Sequence, residues 1–146
     1  MSKYKRQLQR DEAFLDIAKI IATLSTTKSR KVGAVLVKNN RILSTGYNGT
    51  PKGIDIKCQR CESNIKSGTE LNKCSCVHAE INAIIQAAYF GVSSNGATIY
   101  CTTHPCLDCL KAMINAGIKT VYYLEKYNTE YPKEFNKVIE IIKFLK

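Results

Sequence analysis

The sequence predicts an α/β protein, a three-layer α/β/α sandwich with a central mixed sheet. Short apolar runs rich in β-branched residues indicate strands, and longer stretches with apolar residues at helical spacing indicate helices. These segments follow one another in the order α-β-β-loop-α-β-α-β-α. Alternation of strands and helices is typical of a sheet that is covered by helices.

The N-terminal half contains a helix and two strands before a long irregular segment. Apolar spacing predicts a helix over residues 8–27, and a β-branched run predicts a strand over 32–37. A turn then returns the chain as a second strand over 41–46. Residues 47–77 show no clear period and include four cysteines. Because so long a loop is unusual in a compact domain, we expect it to be functional or pinned in place.

The C-terminal half alternates regularly, with glycine and proline at several boundaries. Gly91 and Gly117 are placed to end helices, and Pro132 is placed to introduce one. The predicted elements are a helix over 78–90, a strand over 97–102, a helix from 105 or 106 to 117, a strand over 119–124 and a final helix over 132–146.

Length and composition fit one compact domain. The chain has 146 residues, of which 45% are hydrophobic and 23% charged. We therefore expect residues 1–146 to form a single domain with a cysteine-rich insert at about 55–76. No apolar run approaches the roughly 18–20 residues of a membrane span, and the charged N-terminus is not followed by the apolar segment of a secretory signal. These features predict a cytoplasmic protein with no membrane partner.

The charge balance is strongly basic. The 22 Lys and Arg residues against 12 Asp and Glu give a formal net charge of +10. This excess fits attraction to an anion such as a nucleic acid, a nucleotide or a phosphorylated metabolite. It also fits a lysine-rich solvated surface, because the basic residues are scattered along the chain without a dense block. Charge alone does not choose between RNA and a mononucleotide.

Seven cysteines are many for a chain of this length. An odd count without a secretory signal argues against a disulfide framework, so clustered cysteines indicate metal binding. Cys101 stands alone and is interpreted as a small buried hydrophobe. The other six form three tight pairs: Cys58 with Cys61, Cys74 with Cys76, and Cys106 with Cys109.

One histidine and the last cysteine pair have the character of a catalytic zinc site. Cys106 and Cys109 lie at a predicted helix start, where free N–H groups and the helix dipole favour anionic sulfur. His78, at the start of the preceding helix, supplies a third ligand, and three protein ligands leave one position of tetrahedral zinc open. Glu80 is close enough to move protons at this site without ligating the metal.

These motifs, His-x-Glu and Pro-Cys-x-x-Cys, together resemble the signature of zinc-dependent nucleobase deaminases. Over most of its length the chain is similar to the deoxycytidylate (dCMP) deaminases of the cytidine deaminase-like superfamily. The stretches that carry this resemblance are KVGAV at 31–35, STGYNGTPKG at 44–53, HAEINAI at 78–84, GATIY at 96–100, and AGIK at 116–119 leading to Tyr127. The basic N-terminal stretch and the last predicted helix lie outside it.

The resemblance implies a cytidine deaminase-like fold, a zinc cofactor and hydrolysis of dCMP to dUMP and ammonia, which supplies dUMP for thymidylate synthesis. It implies attack by an activated water at C4 of the cytosine ring. Glu80 would deliver protons to N3 and then to the departing ammonia. Family members are commonly homohexamers, and many are activated by dCTP and inhibited by dTTP. A homo-oligomer is therefore expected, and nucleic acid is not an expected partner.

Four further residues are candidates for holding the nucleotide. By resemblance, Asn48 and Tyr127 match an asparagine and a tyrosine with which family members bind substrate. The alternatives are that Asn48 caps a turn and that Tyr127 is a partly buried aromatic. Arg30 and Lys31, just before the first strand, are candidates for anchoring the phosphate. The alternative for both is a solvated basic stretch.

The cysteine-rich insert also resembles a segment of many bacterial and archaeal dCMP deaminases. The matching residues are Cys58, Arg60, Ser67, Gly68 and Cys74. Some family members hold a second, structural zinc ion near this region through a different ligand set, so no ligands are transferred. The four thiolates of Cys58, Cys61, Cys74 and Cys76 could close a tetrahedral site and order the loop. Free cysteines or an occasional disulfide are the alternatives.

Two other functions remain open from the sequence. A tRNA adenosine deaminase would share the zinc motif and use the positive charge on RNA. Such enzymes usually carry Glu where this chain has His104, and they lack the loop over 46–49. An inactive, zinc-stabilised nucleic-acid-binding module is the hypothesis from a different class. Glu80 argues against it, because a structural zinc ion has no use for a nearby general base.

Overall fold

The computed structural model of the chain describes residues 1–66 and 68–145. Ser67, which is part of the resemblance in the insert, and Lys146 lie outside the described residues. The helices are α1 (Lys3–Ala22), α2 (Gln59–Glu62), α3 (Ala79–Tyr89) and α4 (Leu107–Asn115). The strands are β1 (Gly33–Lys38), β2 (Arg41–Tyr47), β3 (Thr98–Thr103), β4 (Thr120–Glu125) and β5 (Glu140–Lys143). Short 3₁₀ turns span Leu71–Lys73 and Lys133–Lys137.

The strands form one mixed sheet in the order β2-β1-β3-β4-β5. Strand β1 is antiparallel to both β2 and β3, whereas β3, β4 and β5 run parallel to one another. Helix α1 covers one face of the sheet, and α3 and α4 cover the other. The predicted three-layer α/β/α sandwich with a central mixed sheet is confirmed.

Two apolar clusters hold the layers together. Between the sheet and helices α3 and α4, residues such as Leu36, Ile99 and Met113 are fully buried. On the opposite face Leu15 of α1 packs against the sheet, and the Tyr100 hydroxyl donates a 2.6 Å hydrogen bond to the Asp11 carboxylate. This bond fixes α1 to β3 in the middle of an otherwise apolar contact.

The first helix begins and ends earlier than the predicted range of 8–27. It begins at Lys3 because the Ser2 hydroxyl accepts a hydrogen bond from the backbone N–H of Lys5. Its first turns are polar, so no apolar period reveals them in the sequence. It ends at Ala22, where Thr23 turns its N–H back to the carbonyl of Ile20.

The predicted final helix over 132–146 is wrong. The segment instead makes the 3₁₀ turn and then strand β5, which pairs with β4 at the edge of the sheet. Ile139 and Ile141 pack into the cluster beneath α3 and α4, while Phe144 packs on the α1 face. These side chains alternate between the two faces of the sheet as strand residues do. Among the described residues, no helix is both long and apolar enough to cross a membrane.

Candidate active site

The chain gathers its chemical side chains at one edge of the sheet. The register places the ends of β2 and β3 beside the start of β1, since Ala34 pairs with both Gly46 and Cys101. Strand β4 runs parallel to β3 and ends at the same edge. The segments around Arg30, Asn48, Cys106 and Tyr127 precede or follow these strand ends. A single pocket at this edge is lined by all four of these residues.

Two helix starts bring His78, Cys106 and Cys109 together. His78 is the N-cap residue of α3, and Cys106 is the N-cap residue of α4. The Sγ atom of Cys106 accepts a hydrogen bond from the backbone N–H of Cys109. Free N–H groups at a helix start stabilise anionic sulfur, which is the form that binds metal.

The distances within this group fit a zinc ion. His78 Nδ1 lies 3.3 Å from Cys109 Sγ and 3.4 Å from Cys106 Sγ, and all three donor atoms lie within 4.8 Å of one another. A tetrahedral zinc ion with ordinary Zn–N and Zn–S bonds separates such nitrogen and sulfur atoms by about 3.6 Å. The donor set is therefore complementary to zinc and leaves one coordination position for a non-protein ligand.

Glu80 lies beside these donors and is almost completely buried. Its side chain is 4% exposed, and its Oε2 atom accepts a hydrogen bond of 3.6 Å from the Cys109 thiol. Burial raises the pKa of the Glu80 carboxyl above its ordinary value. Glu80 also lines the pocket, together with the ligand candidates His78 and Cys106.

The thiols of Cys106 and Cys109 have pKa values shifted in opposite directions. Hydrogen bonds from Cys109 and His78 lower the pKa of the Cys106 thiol to about 4. The neighbouring Cys106 thiolate and burial raise the pKa of Cys109. The hydrogen bond to Cys106 raises the pKa of His78. Binding of a divalent metal ion replaces such shared protons, because the ligands coordinate in their deprotonated forms.

Asn48 lines the pocket, but its amide is already engaged with the chain. Its Oδ1 atom accepts a 2.9 Å hydrogen bond from the Val32 N–H. Its Nδ2 group donates to the Arg30 carbonyl at 2.7 Å and to the Thr27 hydroxyl at 3.3 Å. Both amide protons are thus used to hold the segment before β1, and only a lone pair of Oδ1 remains for a ligand.

Arg30 and Tyr127 meet on one wall of the pocket, and Lys31 does not join them. The Arg30 guanidinium carbon lies 5.2 Å from the centroid of the Tyr127 ring. The buried Nη1 atom of Arg30 has no hydrogen-bond partner among the described residues. Lys31 is exposed and is not one of the residues that line the pocket. The two neighbouring basic residues therefore have different surroundings.

Sequence reasoning gave no site role to two further residues of the pocket. Arg60 lines it and donates to the Thr69 carbonyl through Nε at 3.0 Å and Nη2 at 2.8 Å. His104 also lines it, with an edge contact to Tyr123 and a hydrogen bond to the Tyr131 hydroxyl. Arg60 had a signal in the sequence as one of the insert residues that match the family segment, whereas the contact between His104 and Tyr131 had none.

The insert brings its four cysteines into a second cluster beside the first. Cys58, Cys61, Cys74 and Cys76 have their Sγ atoms within 4.8 Å of one another. None of the seven cysteines forms a disulfide. Cys101 is fully buried in the cluster beneath α3 and α4, as the interpretation as a small hydrophobe requires.

Comparisons with known proteins agree with this site. A family model described as the cytidine and deoxycytidylate deaminase zinc-binding region matches residues 8–125. The deoxycytidylate deaminase of Schizosaccharomyces pombe is 43% identical over 124 residues, which are 82% of this chain and 38% of that protein. The deoxycytidylate deaminase of phage T4 is 37% identical over 155 residues, covering 81% and 79% of the two chains. This chain thus spans less than half of the yeast relative's length.

A solved structure agrees over nearly the whole chain. The dCMP deaminase of the cyanophage S-TIM5 has a TM-score of 0.77 and 32% identity, covering 99% of this chain and 100% of that one. The family model, the relatives and this structure confirm the resemblance predicted from the sequence, and the His–Cys–Cys group fits the zinc ion on which the family depends. The chain belongs to the cytidine and deoxycytidylate deaminase family.

Proposed function

We propose that this protein hydrolyses dCMP to dUMP and ammonia. The observation that carries the proposal is a buried carboxyl, Glu80, beside a three-donor metal site at the base of a pocket with an unpaired guanidinium nitrogen on its wall. The S-TIM5 enzyme, which is 31% identical over 99% of this chain, has been solved in complex with dCMP and dUMP. Substrate and product of the proposed reaction both bind that relative.

His78, Cys106 and Cys109 would hold the zinc ion at the base of the pocket. The bound ion supplies Lewis-acid chemistry that makes water a nucleophile near neutral pH. Glu80 takes a proton from the attacking water and passes it to N3 of the cytosine ring as C4 is attacked. Glu80 then carries the proton of the new C4 hydroxyl to the amino group, and the C4–N bond breaks to release ammonia as the C4 carbonyl forms. One water enters and one ammonia leaves, so the carboxyl returns to its starting state.

Arg30, Asn48 and Tyr127 form the nucleotide-holding side of the pocket in this proposal. Arg30 offers the phosphate a charged N–H group that no described residue already uses. Asn48 positions the Arg30 backbone through the 2.7 Å hydrogen bond to its carbonyl and offers a lone pair of Oδ1 to the sugar. Tyr127 limits the movement of the guanidinium from the other side.

The remaining expectations extend this proposal to the whole chain. We infer that residues 1–146 act as one catalytic domain in the cytoplasm, as a homo-oligomer of hexameric type, with dCTP and dTTP as effectors. Exposed aromatic side chains at the end of α3 support a subunit contact, because Tyr89 is 77% exposed and Phe90 is 68% exposed.

Ammonia release on a panel of substrates tests the proposed reaction. Zinc-loaded protein is incubated with dCMP, dCTP, deoxycytidine and a tRNA anticodon stem-loop, with dCTP added to a parallel dCMP sample as an activator. We expect turnover of dCMP well above that of the other three. If inosine forms in the RNA and dCMP is not turned over, the substrate is adenosine in tRNA and not dCMP. Inactivity on all four would favour the binding-module hypothesis.

The phosphate anchor gives a second prediction. Arg30→Gln is expected to raise the KM for dCMP by about 10- to 100-fold, because it removes a charge-assisted hydrogen bond to the phosphate. The same variant should leave kcat/KM for deoxycytidine nearly unchanged, since that substrate has no phosphate. Steady-state kinetics on both substrates measure the difference.

Two matched variants sharpen this test. Lys31→Gln removes the neighbouring charge outside the pocket, and Arg41→Gln removes an exposed charge at the start of β2. If the KM for dCMP rises in Lys31→Gln but not in Arg30→Gln, Lys31 and not Arg30 binds the phosphate. A similar rise for both substrates in Arg30→Gln would show a structural role and contradict the prediction.

A further inference from the structure

The four thiols of the insert have the spacing of a complete metal site. Cys58 Sγ lies 3.7 Å from Cys74 Sγ, and Cys61 Sγ lies 3.6 Å from Cys74 Sγ and 3.8 Å from Cys76 Sγ. The edges of a tetrahedron with ordinary Zn–S bonds are about 3.8 Å long. A disulfide would bring two sulfurs to about 2.05 Å, so none of these pairs is a bond.

The backbone around the cysteines supports anionic sulfur. Cys58 is the N-cap residue of α2 and Cys61 lies within that short helix, so the two side chains are presented from one turn. The backbone N–H of Ser75 donates to the Cys58 sulfur at 3.4 Å, which brings the Cys74–Cys76 strip against the helix. Cys58 and Cys61 are only 5% and 7% exposed. If several of these four sulfurs are deprotonated, a cation between them offsets the cost of holding like charges at partly buried positions.

The described residues of the insert bury little apolar surface. Most described residues between the two cysteine pairs are exposed, and apart from α2 the segment contains only the 3₁₀ turn Leu71–Lys73. The segment therefore lacks the apolar burial that normally offsets the entropy of ordering a loop. A metal ion that binds only the folded arrangement supplies that free energy directly.

We propose that Cys58, Cys61, Cys74 and Cys76 hold a structural zinc ion, separate from the ion at His78, and that this closed site fixes the insert as the outer wall of the substrate pocket. All four ligand positions are filled by protein sulfur, so the ion has no position for water or substrate. Its role is to order the chain, in contrast to the open site at the base of the pocket.

Contacts from the insert reach the nucleotide-holding residues. Cys61, Cys74 and Cys76 line the same pocket as Glu80. Arg60, next to Cys61, donates to the Thr69 carbonyl through Nε at 3.0 Å and Nη2 at 2.8 Å. Gly68, with φ +83°, lies so close to Tyr127 that a Cβ at this position would be 2.5 Å from the phenol oxygen.

A salt bridge fastens the insert at a second point. The Lys28 ammonium lies 2.9 Å from a Glu62 carboxylate oxygen and joins the insert to the segment before β1. That segment carries Arg30, and Arg30 packs over Tyr127. Loss of the insert metal should therefore loosen the side of the pocket that holds the nucleotide and leave the base of the pocket in place. This last step rests on the proposed function, whereas the metal site itself does not.

Metal content of the purified protein tests the site. The wild-type chain, freed of loosely bound metal under reducing conditions, should contain about two zinc ions per chain by mass spectrometric elemental analysis. Cys61→Ser and Cys76→Ser should each contain about one, as should His78→Ala. Cys101→Ala, which removes a buried thiol outside both clusters, is the matched control and should retain about two. One zinc per wild-type chain, with no further loss in Cys61→Ser, would overturn the proposal.

Zinc-edge X-ray absorption on the wild-type protein avoids any dependence on how the variants fold. Two filled sites predict an average of about three sulfur ligands per zinc, whereas the His78 site alone predicts about two. An average of about two would overturn the proposal.

Kinetics then separate this proposal from the proposed function. Cys76→Ser with one zinc retained should raise the KM for dCMP several-fold more than it lowers kcat. If the protein contains two zinc ions but does not deaminate dCMP, the four-cysteine zinc site is supported and the proposed function is wrong. An unchanged KM in Cys76→Ser after loss of one zinc would reject the role of the insert in the pocket.

Discussion

Replacing Glu80 by Gln is expected to lower kcat for dCMP deamination by about 10²- to 10⁴-fold, the usual contribution of a general acid–base group. The amide has nearly the shape of the carboxyl, so the packing around a side chain that is 4% exposed is kept. It cannot accept a proton from water or release one to N3. The attacking water and the leaving amino group both lose their proton carrier, and binding of dCMP should change little.

Zinc content and substrate binding decide how a loss of activity in Glu80→Gln is interpreted. Elemental analysis should find the same zinc per chain as in wild type, and equilibrium dialysis should find a dissociation constant for dCMP within a few-fold. Glu134→Gln, which changes an exposed carboxyl on the 3₁₀ turn Lys133–Lys137, is the control. Activity within a few-fold of wild type in Glu80→Gln would contradict the assigned role and favour the binding-module hypothesis.

The candidate catalytic group is predictable from the sequence because its residues lie in two short local motifs. His78 and Glu80 lie at one helix start, and Cys106 and Cys109 lie at another, so two short motifs carry the donors and the acid–base group. The alternating strands and helices between them then require both starts to lie at one edge of the sheet. Only the order of the elements is needed for that conclusion.

The contacts on the nucleotide side are not predictable in this way. Arg30 and Lys31 are adjacent and carry the same charge, so sequence offers both as phosphate anchors. The fold separates them, because only Arg30 lies against Tyr127, a residue almost a hundred positions away. Both Asn48 amide protons are donated to the segment before β1, and these contacts also depend on the tertiary structure.

The last segment of the chain fails as a helix prediction for a related reason. Its isoleucines and Phe144 fit a helical pattern about as well as an alternating one over so short a stretch. The backbone becomes strand β5 because the edge of β4 offers hydrogen bonds that no local pattern reveals. Nonlocal pairing therefore overrides the local signal.

Gly46→Ala is expected to be among the most destabilising single changes, and it connects the fold to the site. A Cβ at Gly46 in β2 would lie 2.1 Å from the carbonyl oxygen of Ala79 and 2.5 Å from the backbone nitrogen of Ala83. Both contacts are backbone atoms of α3, so no flexible side chain can move aside. The helix itself must shift away from the sheet, and its N-terminal end carries the N-cap residue His78 and Glu80 in the first turn.

Thermal and chemical unfolding measure this effect. The free energy of unfolding of Gly46→Ala should fall by about 3 kcal/mol or more, at the upper end of what overpacking costs, with a drop in Tm of about 6–12 °C. Gly49→Ala is the matched control, since a Cβ there meets nothing within 4 Å, and it should stay within about 0.5 kcal/mol of wild type. If Gly46→Ala instead kept both its stability and its kcat, α3 would be free to move without disturbing Glu80. The close contact between β2 and α3 would then not be what fixes Glu80 beside His78, Cys106 and Cys109.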